Sequence, residues 1–247
     1  MIISRITQEF WGFIKKPSML ILNPKSELLP PLALRVVLWV LVLDVIAVFV
    51  FIGVALLAKF VGECSGVSLL VESAKNDVRP LLDITLSAIL FAPVLEELGF
   101  RFGLGFKQGQ VATSLALILS LAIGVIGSAV AVSSFFENLL NPYVWFLSVF
   151  VFLFLVKQPL IDRVKQYYSG TVVYILSVLF ALLHVFNYEV TSLTQLPYLL
   201  FLMVFFTFAG LLLSYVRIRI GFVYGVALHI LHNGLILLLY ILFPSLR

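Results

Sequence analysis

Long apolar runs, each close to the length of a membrane-crossing helix, decide what this chain can fold into. A span needs about 20 mostly apolar residues, because the hydrocarbon core is ~30 Å thick and a helix rises ~1.5 Å per residue. Seven such runs can be traced, near Leu34–Phe60, Leu81–Phe106, Val111–Ser134, Tyr143–Val156, Thr171–Tyr188, Leu196–Tyr215 and Ile220–Phe243, the fourth being short. Turn chemistry separates several of them, at Asn23-Pro24, Leu29-Pro30-Pro31, Asn141-Pro142 and Gln158-Pro159. With 62% of 247 residues hydrophobic and only 11% charged, a soluble globular domain is excluded, since those are about a quarter charged. The expected fold is all-α, a polytopic transmembrane helix bundle of about seven spans (six to eight). It occupies residues 34–247, after an N-terminal cytoplasmic or interfacial segment over 1–33. Within that segment Met1–Lys16 reads either as an amphipathic interfacial helix, with Phe10, Trp11 and Ile14 on one side and Lys15-Lys16 closing it, or equally as a frayed cytoplasmic tail. Arg5 and Glu9 interrupt any apolar core of a cleavable signal.

Charge narrows the partners and the orientation. A net charge of +4, with its basic residues scattered, does not suit nucleic acid; the bilayer is the expected partner. The single Cys64 cannot form an internal disulfide. Eleven Lys and Arg residues fall in the N-terminal tail and in the loops on the same side, against four on the other. The positive-inside rule then gives a cytoplasmic N-terminus and an external C-terminus; a re-entrant fourth run would flip everything after it.

One polar stretch stands out inside the second run: Phe91-Ala92-Pro93-Val94-Leu95-Glu96-Glu97-Leu98-Gly99-Phe100-Arg101. A charged residue at the bilayer centre costs roughly 2.5–3.5 kcal/mol even on a lenient insertion scale. Glu97 and Arg101 are four apart and pair on one helix face. Glu96 is rotated by about 100° and has no partner in its own helix.

The three histidines, His184, His229 and His232, all lie in apolar runs. Phe180 and His184 share a helix face, as do His229 and Asn233. Counted from the basic ends at ~1.5 Å per residue, Glu96, His184 and His229 lie roughly 16, 20 and 15 Å deep. Three polar groups at one depth on three helices meet only if those helices pack together.

Such a meeting suits hydrolysis of an amide by activated water. A buried carboxylate serves as general base. An imidazole shares the water, and a second imidazole with an Asn offers donors to an oxyanion. A metal fits equally: Glu96, His184 and His229 could ligate zinc and leave a position for water. Metal-free activation is as open, because the His-Glu-x-x-His zinc motif is absent. Buried Glu and His also build proton relays, so a non-proteolytic membrane protein (transport, scaffold or bacteriocin immunity) is the alternative. His232 and Asp44 have the simpler reading of buried polar residues without a role in these motifs.

Glu96-Glu97-x-x-x-Arg101, Phe180-x-x-x-His184 and His229-x-x-x-Asn233, in that order on apolar helices, resemble the CAAX-protease and bacteriocin-processing (Abi) family of intramembrane endopeptidases. The resemblance covers about 81–243. It implies cleavage of a membrane-associated or prenylated peptide, in an integral membrane protein of a bacterial plasma membrane. It further implies that Glu96 and His184 activate the water, that His229 and Asn233 line the oxyanion site, and that Glu97 and Arg101 orient it. Two features depart from the family pattern. Phe102 intervenes between the motif Arg and Gly103, and the long Glu96–His184 gap holds two additional apolar runs.

Overall fold

The computed structural model describes residues 2–22, 30–65, 71–72, 86–129, 142–186, 188–189 and 193–242. Helices dominate them, as expected where little water is on hand to satisfy the backbone and each segment must bond to itself. In chain order they are α1 (Ile2–Lys15), α2 (Ser18–Leu22), α3 (Pro30–Ser65), α4 (Ala92–Phe100), α5 (Gln108–Ala129), α6 (Pro142–Leu155), α7 (Gln158–Val185), α8 (Leu196–Arg219) and α9 (Phe222–Leu242). A π-helical turn, Ser87–Phe91, leads into α4, and a 3-10 turn, Phe102–Gly105, follows it. A two-residue antiparallel pair sets Val71 opposite Glu189 and Glu72 opposite Tyr188.

Four helices among the described residues are long and apolar enough to cross a membrane: Ala33–Val54 within α3, α7, α8, and Phe222–Leu239 within α9. They correspond to the first, fifth, sixth and seventh apolar runs. α3 shows the pattern clearly. Val36, Val40, Asp44 and Val48 form its buried stripe, while Leu34, Leu38, Val42, Ile46 and Phe49 are exposed. An apolar helix that buries only one narrow stripe presents the rest to lipid. The protein is therefore a membrane protein. Lys25, Lys75, Asp83, Arg79 and Arg247 lie outside the described residues.

The structure corrects three local expectations. The second run is not one helix to Phe106. α4 ends at Phe100, Arg101 leaves helical geometry at φ −123°, and Phe106 is left-handed at φ 52°. The turn is tied down from outside the run. Ser114 Oγ accepts from Gly103 N at 2.7 Å and donates to Leu98 O at 2.8 Å, and Gln158 Nε2 donates to Phe106 O at 3.1 Å.

Second, Gln158-Pro159 does not interrupt structure but begins α7, with Pro159 in the first turn, where a missing N–H costs nothing. α7 therefore starts well before Thr171, and Arg163 and Lys165 are helical, not in a loop. His184 lies in the last turn of that helix. The depth reckoned for it from Thr171 does not hold.

Third, α1 buries Ile6, Phe10 and Phe13, while Trp11 is exposed. Spacings of four and three keep one face, and residue 11 falls off it. This face packs on the body of the protein. Phe10 and Phe13 meet Tyr215 with ring centroids 5.3 and 5.4 Å apart, Glu9 Oε1 accepts from Arg219 Nε at 2.6 Å, and Tyr174 Oη donates to Ile14 O at 2.7 Å.

Candidate functional site

α4, α7, α8 and α9 enclose the polar residues of the motifs. Glu97 and Arg101 are both fully buried, with Arg101 Nη1 3.1 Å from Glu97 Oε1. Glu96, rotated off that face, is partly open and looks toward two imidazoles. His184 Nε2 lies 3.7 Å and His229 Nε2 3.6 Å from Glu96 Oε2. Thus α4, α7 and α9 do bring Glu96, His184 and His229 together. Asn233 follows one turn beyond His229 on α9 and is half-buried.

Ring contacts explain why Phe180 stands one turn before His184. The Arg101 guanidinium lies over the Phe180 ring at 4.0 Å. The same ring approaches those of His184 and His229, with centroids 4.3 and 5.8 Å away. One aromatic side chain thereby spaces the cation from both imidazoles.

Two glycines admit the charged groups. A Cβ at Gly210 would stand 3.1 Å from Ser177 Cα and 3.3 Å from Arg101 Nη2. A Cβ at Gly225 would stand 3.4 Å from Glu97 Oε2. At Gly210, α8 therefore packs tightly against the backbone of α7 and over Arg101, whereas α9 meets Glu97 at Gly225 in ordinary contact.

Hydrogen bonds assign the imidazole protons. His184 Nδ1 is 2.9 Å from Phe180 O, which can only accept. His229 Nδ1 is 3.1 Å from Glu97 Oε1. Both Nδ1 atoms therefore carry hydrogen, and in the neutral rings both Nε2 atoms present lone pairs. Three acceptors, two Nε2 and Glu96 Oε2, thus face one another at distances too long for direct hydrogen bonds. Glu96 Oε2 is itself buried with no hydrogen-bond partner among the described residues. A proton-bearing species bridging these atoms would satisfy them, and water is the simplest.

A metal fits less well. Among the described residues no group of three His, Cys, Asp or Glu side chains has the arrangement of a metal-binding set. The zinc reading of Glu96, His184 and His229 gains no support from the geometry.

Sequence reasoning missed two parts of the site. His232 Nδ1 lies 2.8 Å from Asp44 Oδ2 and 2.9 Å from Oδ1, joining α9 to α3. Its ring centroid is 6.4 Å from that of His229. The available signal was two buried ionisable residues in different apolar runs, which call for each other. The second part is Arg217. Its Nε donates to Arg101 O at 3.1 Å and its Nη2 to Phe102 O at 3.4 Å, capping the end of α4. Phe102, the residue that departs from the family pattern, starts the 3-10 turn and packs on Phe222 with centroids 5.1 Å apart.

No family model, curated relative or solved structure matches the chain.

Proposed function

We propose that this membrane protein is an endopeptidase that hydrolyses a peptide bond of a membrane-associated or lipidated substrate with water activated by Glu96 and His184. The observation that carries the reading is the convergence of Glu96 Oε2 with the Nε2 atoms of His184 and His229, at 3.7 and 3.6 Å. A water held there gives one proton to Glu96 and a hydrogen bond to one Nε2. Its oxygen adds to the substrate carbonyl carbon. The proton held on Glu96 then passes to the leaving nitrogen as the C–N bond breaks. His229 donates to the oxyanion only after gaining a second proton, because its Nδ1–H is already committed to Glu97. Asn233, one turn along, is the neutral donor assigned to the same oxygen. Glu97 and Arg101 position His229 and do not touch the reacting atoms.

The likeness of the three motifs to the CAAX-protease and bacteriocin-processing family supports the same reaction, on a core over about 81–243. Under this reading the chain has about seven spans, the N-terminus is cytoplasmic, and the membrane is a bacterial plasma membrane. The excess of Lys and Arg on the N-terminal side supports that orientation.

The test compares peptides released from membranes carrying the intact protein and Glu96→Gln. The amide keeps the shape of the side chain and removes the base, so peptide release should stop while the protein remains inserted and folded. Release at the original rate removes Glu96 from the chemistry and with it the assignment.

A further inference from the structure

A cavity lies apart from the Glu96 cluster, between α2, the 3-10 turn and the facing parts of α7 and α8. It has a volume of about 190 Å³ and is lined chiefly by Leu20, Ile21, Leu104, Phe106, Lys165 and Arg217. With Ile218 and Gly105 included, five apolar side chains, one glycine and two cations make up that wall, and among the described residues no acidic side chain lines it.

Neither cation has a carboxylate hydrogen-bonded to it among the described residues, although Arg217 also feels the attraction of the buried Glu97 carboxylate. Arg217 gives its Nε and Nη2 hydrogens to the carbonyls of Arg101 and Phe102, which carry no net charge. The Lys165 side chain makes no hydrogen bond or ion pair among the described residues. Two half-buried like charges facing one space repel, and an anion between them relieves both.

The level of the cavity suggests the source of that anion. Arg217 and Arg219 occupy the last turn of α8, and Lys107 and Lys157 stand beside the neighbouring turns. This is the basic end of the bundle, the end that the excess of Lys and Arg would set at the level of the lipid headgroups. Basic pockets between spans, walled by apolar side chains, suit a phosphate with its attached carbons.

We propose that this cavity binds the phosphate of an anionic membrane lipid, with Lys165 and Arg217 as its counter-charges. The site is independent of the peptidase reading. Its occupant also bears on the end of α4, because the guanidinium that meets the phosphate is the one that holds the carbonyls of Arg101 and Phe102. Arg217 is there a positioning residue.

The experiment uses the full-length protein in nanodiscs of phosphatidylcholine alone or with phosphatidylglycerol, read by native mass spectrometry and by the midpoint of thermal unfolding. The expected result is retention of phosphatidylglycerol at least tenfold over phosphatidylcholine, with a raised midpoint. Lys165→Gln should cut the preference severalfold. Lys107→Gln, an exposed cation outside the lining, should leave it unchanged. Arg217→Gln removes the second charge, but it also uncaps α4, so Lys165→Gln carries the decision. Addition of inorganic phosphate separates the two sources. Displacement of the lipid assigns the site to phosphate as such; persistence of the lipid assigns it to the lipid as a whole. Equal retention of the two lipids by the intact protein, or a preference that survives in Lys165→Gln, overturns the proposal.

Discussion

Oε1 of Glu97 lies 3.1 Å from Nδ1 of His229 and accepts its hydrogen. The same oxygen is 3.1 Å from Arg101 Nη1, so one buried carboxylate both compensates a cation and sets an imidazole tautomer. Glu97→Gln keeps the volume and an oxygen for Nδ1–H but leaves Arg101 charged, wholly buried and unpaired. Removing one partner of a buried pair costs about 3–5 kcal/mol. Glu97→Gln should therefore lower the unfolding midpoint in detergent strongly, whereas Glu96→Gln, whose carboxylate accepts no hydrogen bond at Oε2, should leave it within about 1 kcal/mol of the parent. Equal midpoints for the two variants would show that Glu97 does not hold the ion pair together.

Phe180 gives a second separation of roles. Its ring lies 4.0 Å beneath the Arg101 guanidinium, and its backbone carbonyl holds His184. Phe180→Leu keeps the carbonyl and most of the packing but removes the aromatic face. A desolvated cation–π contact is worth about 2 kcal/mol. The variant should lose stability of that order while His184 keeps its tautomer. Phe180→Ala opens a cavity as well and should lose about 3–5 kcal/mol. Denaturant titration of the two variants gives the comparison, and a Leu variant as stable as the parent rules out the aromatic contribution.

The two glycines over the ion pair predict unequal effects. At Gly210 the added methyl meets Ser177 Cα on α7 at 3.1 Å, and backbone cannot swing aside. Gly210→Ala should force α7 and α8 apart, costing about 1–3 kcal/mol as an overpacked core does. At Gly225 the nearest atom is Glu97 Oε2 at 3.4 Å, an ordinary contact. Gly225→Ala should be close to neutral, aided by the better helix propensity of Ala. Thermal midpoints of both, measured side by side, check the order; the reverse order contradicts the packing described.

How much of this could be read in the chain varies with the range of the interaction. The apolar runs are legible because a membrane helix satisfies its own backbone, and four of them appear as span-like helices. The pairing of Glu97 with Arg101 is legible because it is local, four residues along one helix. Convergence of Glu96 with His184 and His229 was argued from a common depth; the three groups do meet, but the depth reckoned for His184 used the wrong start of its helix. The bend from Arg101 to Phe106 was not legible. It is made by Ser114, Gln158 and Arg217, which come from three other elements. Trp11 was grouped with Phe10 and Ile14 on one side of the helix, while the face actually buried is set by Ile6, Phe10 and Phe13.

The pairing least visible in the chain joins residues 188 positions apart, Asp44 on α3 and His232 on α9. Both are buried, and the imidazole reaches both carboxylate oxygens, at 2.8 and 2.9 Å. A hydrogen bond to a charged group contributes about 1.5–3 kcal/mol, and an orphaned buried partner costs more than the bond itself. Asp44→Ala and His232→Ala should each destabilise by at least that amount. The double variant should cost clearly less than their sum, since with both groups gone nothing is left unsatisfied. Asp44→Asn offers an amide oxygen to Nδ1–H and should restore part of the loss. Because His232 stands beside His229, with ring centroids 6.4 Å apart, peptide release should fall in the alanine variants in step with stability. Additive losses in the double-mutant cycle would mean that the pair does not join α3 to α9 in the folded protein.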